Sequence, residues 1–127
     1  VSHDAYRRLA VADRILKQPE LVEDGVWPRT CTWLIRLALE HGLDDFWATH
    51  NPDVGAVTSR RAQLLALSRT VDADVGRRGT ELWHALSRAA HHHAYELAPT
   101  GAELRTWHSE VLALTDALHP HARTSAP

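Results

Sequence analysis

Cysteine occurs once in this chain, at Cys31, so no internal disulfide can form and the composition fits a reducing compartment. Lysine also occurs once, at Lys17, and every other basic side chain is arginine. With 14 basic against 16 acidic residues the formal net charge is -2, which argues against a surface that coats nucleic acid along its length. Any such contact must be local, built from a few arginines around one cleft. Runs of β-branched and aromatic residues alternating with period two are missing, and with them the signal of a β fold. No apolar run approaches the length needed to cross a bilayer, and the first residues lack the layout of a secretory signal. The expectation is a cytoplasmic protein with no membrane association. H-E-x-x-H and paired-cysteine spacings are absent too, which removes the commonest zinc signatures.

What is present is helical periodicity. The 127 residues suffice for one hydrophobic core, and 44% apolar with 24% charged residues is an ordinary soluble balance. Apolar side chains recur three or four apart along most of the chain. The spacing predicts a first helix over about 3–18, with Ser2 as N-cap, Pro19 as stop, and Tyr6, Leu9, Ala10 and Ile15 or Leu16 inward. A second helix opens on Pro28 and runs to about Thr49, with Gly42 as a candidate bend. Asn51-Pro52-Asp53-Val54-Gly55 reads as a loop. A third helix is expected over about 59–70, capped by Thr58, with Leu64, Leu65, Leu67 and Val71 inward. Asp72 or Asp74 can cap a fourth, whose stripe is Val75, Gly79, Leu82, Leu86 and Ala89 or Ala90. Thr100 and Glu103 form a capping box that opens a fifth, with Leu104, Trp107, Val111, Leu114 and Leu118 inward. The predicted architecture is all-α, an up-and-down helical bundle of about five helices. One domain covers 1–118, and 119–127 reads as a flexible tail.

The fourth helix carries the chemistry. Within Arg88-Ala89-Ala90-His91-His92-His93-Ala94-Tyr95 stands the pattern R-x-x-x-x-H-x-Y, formed by Arg88, His93 and Tyr95. It combines a permanent cation, a group that titrates near neutrality and a phenol. On a helical wheel Glu81, His84, Arg88, His91 and Tyr95 fall opposite Leu82 and Leu86, while His93 falls on the core side. Arg88 and His93 therefore converge only if the helix ends near His93, or if two subunits bring their motifs together. Metal-free RNA cleavage needs a base for the 2′-hydroxyl, an acid for the leaving oxygen and positive charge beside the phosphorane. Histidine and arginine meet those needs.

The pattern resembles that of HEPN domains, small helical nucleotide-binding modules found in many bacterial RNase toxins. The resemblance implies a HEPN-like bundle and a homodimer with a shared cleft. It implies Arg88 and His93 as the RNase centre and Tyr95 as a site where a nucleotidyltransferase-type antitoxin attaches AMP. His84, His91 and His92 are the candidate substrate-binding residues beside them. The implied activity is that of a cofactor-free endoribonuclease, a toxin or defence effector; the alternative is a non-catalytic domain that binds nucleotide or a partner. A metal centre is the third reading, since His84 and His91 share a face near Glu81, and His108 can join from the next helix. Against it, His91, His92 and His93 point in different directions on a helix, so no metal is assigned. Trp33, Trp47, Trp83 and Trp107 lie at or beside apolar stripes and are expected in the core. Only Trp27, beside Pro28 and Arg29, fits an exposed stacking platform. The pairs Arg60-Arg61 and Arg77-Arg78 read as solvated helix surface.

Overall fold

A computed structural model describes residues 3–22, 25–91 and 97–124, and all regular structure among them is helical. The elements are α1 (Asp4–Lys17), a 3-10 turn (Pro19–Leu21), α2 (Trp27–His50), α3 (Pro52–Val57), α4 (Arg60–Thr70), α5 (Ala73–Ala90) and α6 (Gly101–Thr124). No helix among the described residues is long and apolar enough to cross a membrane.

Helix α2 is the spine, lying against α1, α3, α5 and α6, while α4 packs chiefly on α5. It buries Cys31, Leu34, Ile35, Ala38, Leu39, Leu43, Phe46 and Trp47. Each fully buried aliphatic or aromatic side chain contributes roughly 1.5–3 kcal/mol, so this face supplies much of the driving force. Burial also pushes the Cys31 thiol up to about 11, leaving it protonated and inert against the Ala12 carbonyl. Gly42 does not interrupt the helix. It is buried where an added Cβ would meet Thr115 Oγ1 at 3.5 Å, an ordinary contact, so a methyl group would fit against α6.

Polar ties join α1 to α6 in antiparallel order. Tyr6 donates its hydroxyl to Asp116 Oδ1 (2.7 Å), His108 donates Nε2–H to the Leu9 carbonyl (2.8 Å), and Arg105 donates to the Leu16 carbonyl (3.1 Å). Tyr6 therefore sits half-buried at the rim, and α1 instead buries Ala5, Leu9, Ala12, Ile15 and Leu16, with Ala10 exposed.

Several expectations are corrected. The loop expected at 51–55 contains the short helix α3, because Pro52 at its first position already has helical φ and lacks only an N–H that would go unbonded there. The cap of α4 is Ser59, whose hydroxyl accepts from Ala62 N–H at 3.2 Å, rather than Thr58, which bonds back to Val54. Leu65 is 61% exposed, since Leu64 and Leu67 already fill the side of α4 that meets α5. Trp33 is 58% exposed, because Leu34 and Ile35 occupy the inward face of α2 at that level. Helix α6 continues past 118 to Thr124, with His119 edge-on to Tyr6 at 5.3 Å between ring centroids. The proposed cap at Ser2 lies outside the described residues.

Asp72 caps α5 by accepting from Val75 N–H at 2.8 Å, and Val71-Asp72 separates α5 from α4. The two helices cross closely. A Cβ on Gly76 would run into Ser68 Oγ and lie 2.9 Å from the Ser68 backbone nitrogen; one on Gly79 would meet Leu64 at 3.2 Å. Gly76→Ala is therefore expected to lower stability by about 1–3 kcal/mol, because the backbone collision outweighs the helix-propensity gain of roughly 1 kcal/mol. Gly42→Ala is expected to be neutral or stabilising; urea midpoints at unchanged m-value check both.

The Thr100–Glu103 capping box forms as read. Glu103 N–H donates to Thr100 Oγ1 (3.1 Å), and Glu103 Oε1 accepts from Thr100 N–H (3.1 Å). Thr100→Ala should cost about 1 kcal/mol in the same denaturation measurement.

Candidate functional site

Helix α5 is strongly two-sided. Val75, Gly76, Gly79, Leu82 and Leu86 are buried, whereas Glu81, His84, Arg88 and His91 are exposed along one stripe. The sequence-predicted motif face is thus the outer face of α5. The helix ends at Ala90, where His91 N–H bonds to the Ser87 carbonyl at 3.2 Å as the cap, and no helix is continuous from α5 into α6. The break required for Arg88 and His93 to converge is present. Pro99 disfavours helical geometry in the residue before it, and the Thr100 box restarts the chain as α6. His92, His93 and Tyr95 lie outside the described residues.

Arg88 stands in the last turn of α5, where a cation complements the partial negative charge of the helix end. It lines a cleft of about 330 Å³ with Leu97, Pro99, Thr100, Glu103 and Trp107. Glu103 is the acidic group there, and its Oε1 is engaged by the Thr100 backbone and hydroxyl. Arg88 makes no ion pair among the described residues. The bland account of Arg88, a solvated cation at a helix end, explains its position in the turn; it does not explain the cleft beside it.

The opposite end of α5 contrasts with this. Arg77 bonds to Asp74 (2.7 Å) and Glu81 (3.3 Å), and Arg78 lies 2.9 Å from Asp74. The bonded Arg77 guanidinium holds the Asp74 carboxyl below the usual carboxylate range. Arg60 is likewise spent on Asp44 at 2.6 Å. These charges are neutralised locally, as expected for solvated surface.

No group of three or more metal-ligating side chains converges among the described residues. His108 is turned to α1 by its bond to Leu9, which removes it from the stripe of His84 and His91.

A second cleft, of about 280 Å³, opens on the other flank of the same helix end, between α2 and α5. Arg29, Thr30, Thr32 and Trp33 line it from α2, and Ala89 and Ala90 from α5. Ala89 borders both clefts. Of the tryptophans, Trp47 is fully buried, Trp83 and Trp107 pack partly against the core, and Trp33 is the exposed one. Trp27, the platform expected from sequence, is instead half-buried, with its ring 3.7 Å from where a Gly101 Cβ would stand. Sequence reasoning missed Trp33. Its spacing from Arg29, four residues and about one helical turn away, gives no signal until Trp33 is known to be uncovered.

Comparison with known proteins leaves the reading to the residues themselves: no family model, no curated protein and no solved structure matches this chain.

Proposed function

We propose that this chain is a metal-independent endoribonuclease of HEPN type, working as a homodimer in which two copies of Arg88 and His93 share one cleft. The observation that carries the reading is Arg88: exposed, without an ionic partner among the described residues, at a cleft where α5 ends a few residues before His93 and Tyr95. Arginine grips a phosphodiester through parallel N–H donors and stays charged at any working pH. One His93 takes the proton from the 2′-hydroxyl, the 2′-oxygen bonds to phosphorus, and the 5′-oxygen leaves with a proton supplied by the second His93. Arg88 stabilises the charge that builds on the phosphorane. Tyr95 orients the phosphate and offers the hydroxyl on which a nucleotidyltransferase antitoxin would place AMP. His84 and His91, on the same outer stripe as Arg88, and His92 guide the strand. The proposed setting is a cytoplasmic toxin or defence effector.

A non-catalytic, nucleotide- or partner-binding domain is the second reading. Ala89 favours it: the position after the arginine is often polar in active HEPN members, and here it carries a methyl group that borders two clefts.

Purified protein should cut single-stranded RNA equally well with and without EDTA. Arg88→Ala and His93→Ala should each lower the rate about a hundredfold or more with helicity intact. His91→Ala and His92→Ala should act far less, and Tyr95→Phe modestly. Absence of any cleavage, or full activity in His93→Ala, would move the conclusion to the binding domain.

The shared cleft has its own test. A two-fold axis pairs a patch with itself and doubles Arg88, His84 and His91 along one groove. Sedimentation at micromolar concentration should give a dimer, and a monomer would overturn the shared-cleft arrangement.

A further inference from the structure

We infer that Trp33 and Arg29 form a base-stacking subsite that holds one unpaired nucleotide of a single-stranded RNA. The inference deepens the proposed function and rests on it for the identity of the ligand as RNA. Large aromatic side chains on a small bundle belong inside, and Trp47 shows that this core accepts one, yet Trp33 is 58% exposed. It is not isolated on an open face. It borders a cleft of about 280 Å³, near the lower end of the roughly 300–1,000 Å³ usual for ligand sites, a size suited to a single base.

Arg29 lines the same cleft one helical turn before Trp33, and makes no ion pair among the described residues. The next arginine along α2 behaves differently: Arg36 lies 4.9 Å over the Trp83 ring and 3.9 Å from Glu40. An accessible indole beside an uncommitted guanidinium is the pairing that holds single strands, with the ring taking the base and the cation the phosphate. The opposite wall, Ala89 and Ala90, is small enough to leave room for a base against the indole. Its position completes the case. Ala89 also borders the Arg88 cleft, so a strand with one phosphate at Arg88 can place a neighbouring base on Trp33. A protein-docking anchor would want an apolar surround, whereas Trp33 has Arg29 and Thr30 as cleft neighbours.

The test uses the full chain and a fluorescent 2′-O-methyl single-stranded oligonucleotide. This probe lacks the attacking hydroxyl, so binding is read independently of cleavage. Anisotropy at fixed salt should show Trp33→Ala weakening binding about tenfold, with Trp33→Tyr retaining most of the affinity. Arg29→Gln should weaken binding and flatten the dependence of log affinity on log salt by about 0.7. Leu65→Ala, equally exposed on α4, should change nothing. With cleavable RNA, Trp33→Ala should raise KM and spare kcat. Probe binding that depends on Trp33 in a protein that cuts no RNA would sink the catalytic reading and uphold the subsite. Wild-type protein that fails to bind the probe, or Trp33→Ala that binds it as tightly, would overturn the subsite. So would a Trp33→Ala variant that loses self-association with probe affinity unchanged, since the indole would then serve a protein contact.

Discussion

The near-contact of two backbones, Gly76 on α5 against Ser68 on α4, governs how this bundle presents its outer face. A single added carbon there would stand 2.9 Å from a backbone nitrogen, so the helices are about as close as main chains permit. Such proximity leaves little freedom to rotate α5 about its own axis. With Gly79 also fitted against Leu64, Val75, Leu82 and Leu86 turn inward, and the stripe of Glu81, His84, Arg88 and His91 turns to solvent. The position of a catalytic candidate at one end of the helix thus depends on glycines several turns away. Packed interiors transmit such constraints because they hold few voids into which a misfit could relax.

Charge is graded along the same helix. Its first turns carry Asp74 together with two arginines that Asp74 and Glu81 absorb, while its last turn carries Arg88 with its charge uncommitted. This order follows the helix macrodipole, which favours acids at the start and cations at the end. It also concentrates available positive charge where the helix stops and clefts open on both flanks. A chain with a net charge of -2 in this way still leaves one arginine without an ion pair among the described residues beside a cleft.

Much of this was legible in the sequence, and the omissions have a common cause. Spacing of apolar residues named the helical class, most of the buried face of α6, and the exposed stripe on α5. Local hydrogen-bond chemistry named the Thr100–Glu103 box and narrowed the α5 cap to Asp72 or Asp74, since both depend on residues within one turn. Periodicity alone does not say how wide a buried stripe will be. Trp33 and Leu65 each sit next to a core position, about 100° around the helix from it, and either outcome satisfies the pattern. Which side is covered depends on where the neighbouring helix lies, a tertiary fact. The pairing of Arg29 with Trp33 was invisible for the same reason: an arginine four residues before a tryptophan gains meaning only once the tryptophan is known to be uncovered.

The seam between α1 and α6 has a kinetic consequence. Its ties connect residues 110, 99 and 89 positions apart, whereas α4 and α5 are neighbours joined by a two-residue connection. Bringing distant segments together carries a loop-closure entropy that local hairpins largely escape. The α1–α2 and α4–α5 pairs can therefore assemble early as units, and the α1–α6 seam closes late. In the native ensemble the order reverses: parting of the α1–α6 seam gives up a smaller packed face than parting α1 from α2, so it is the cheaper local opening.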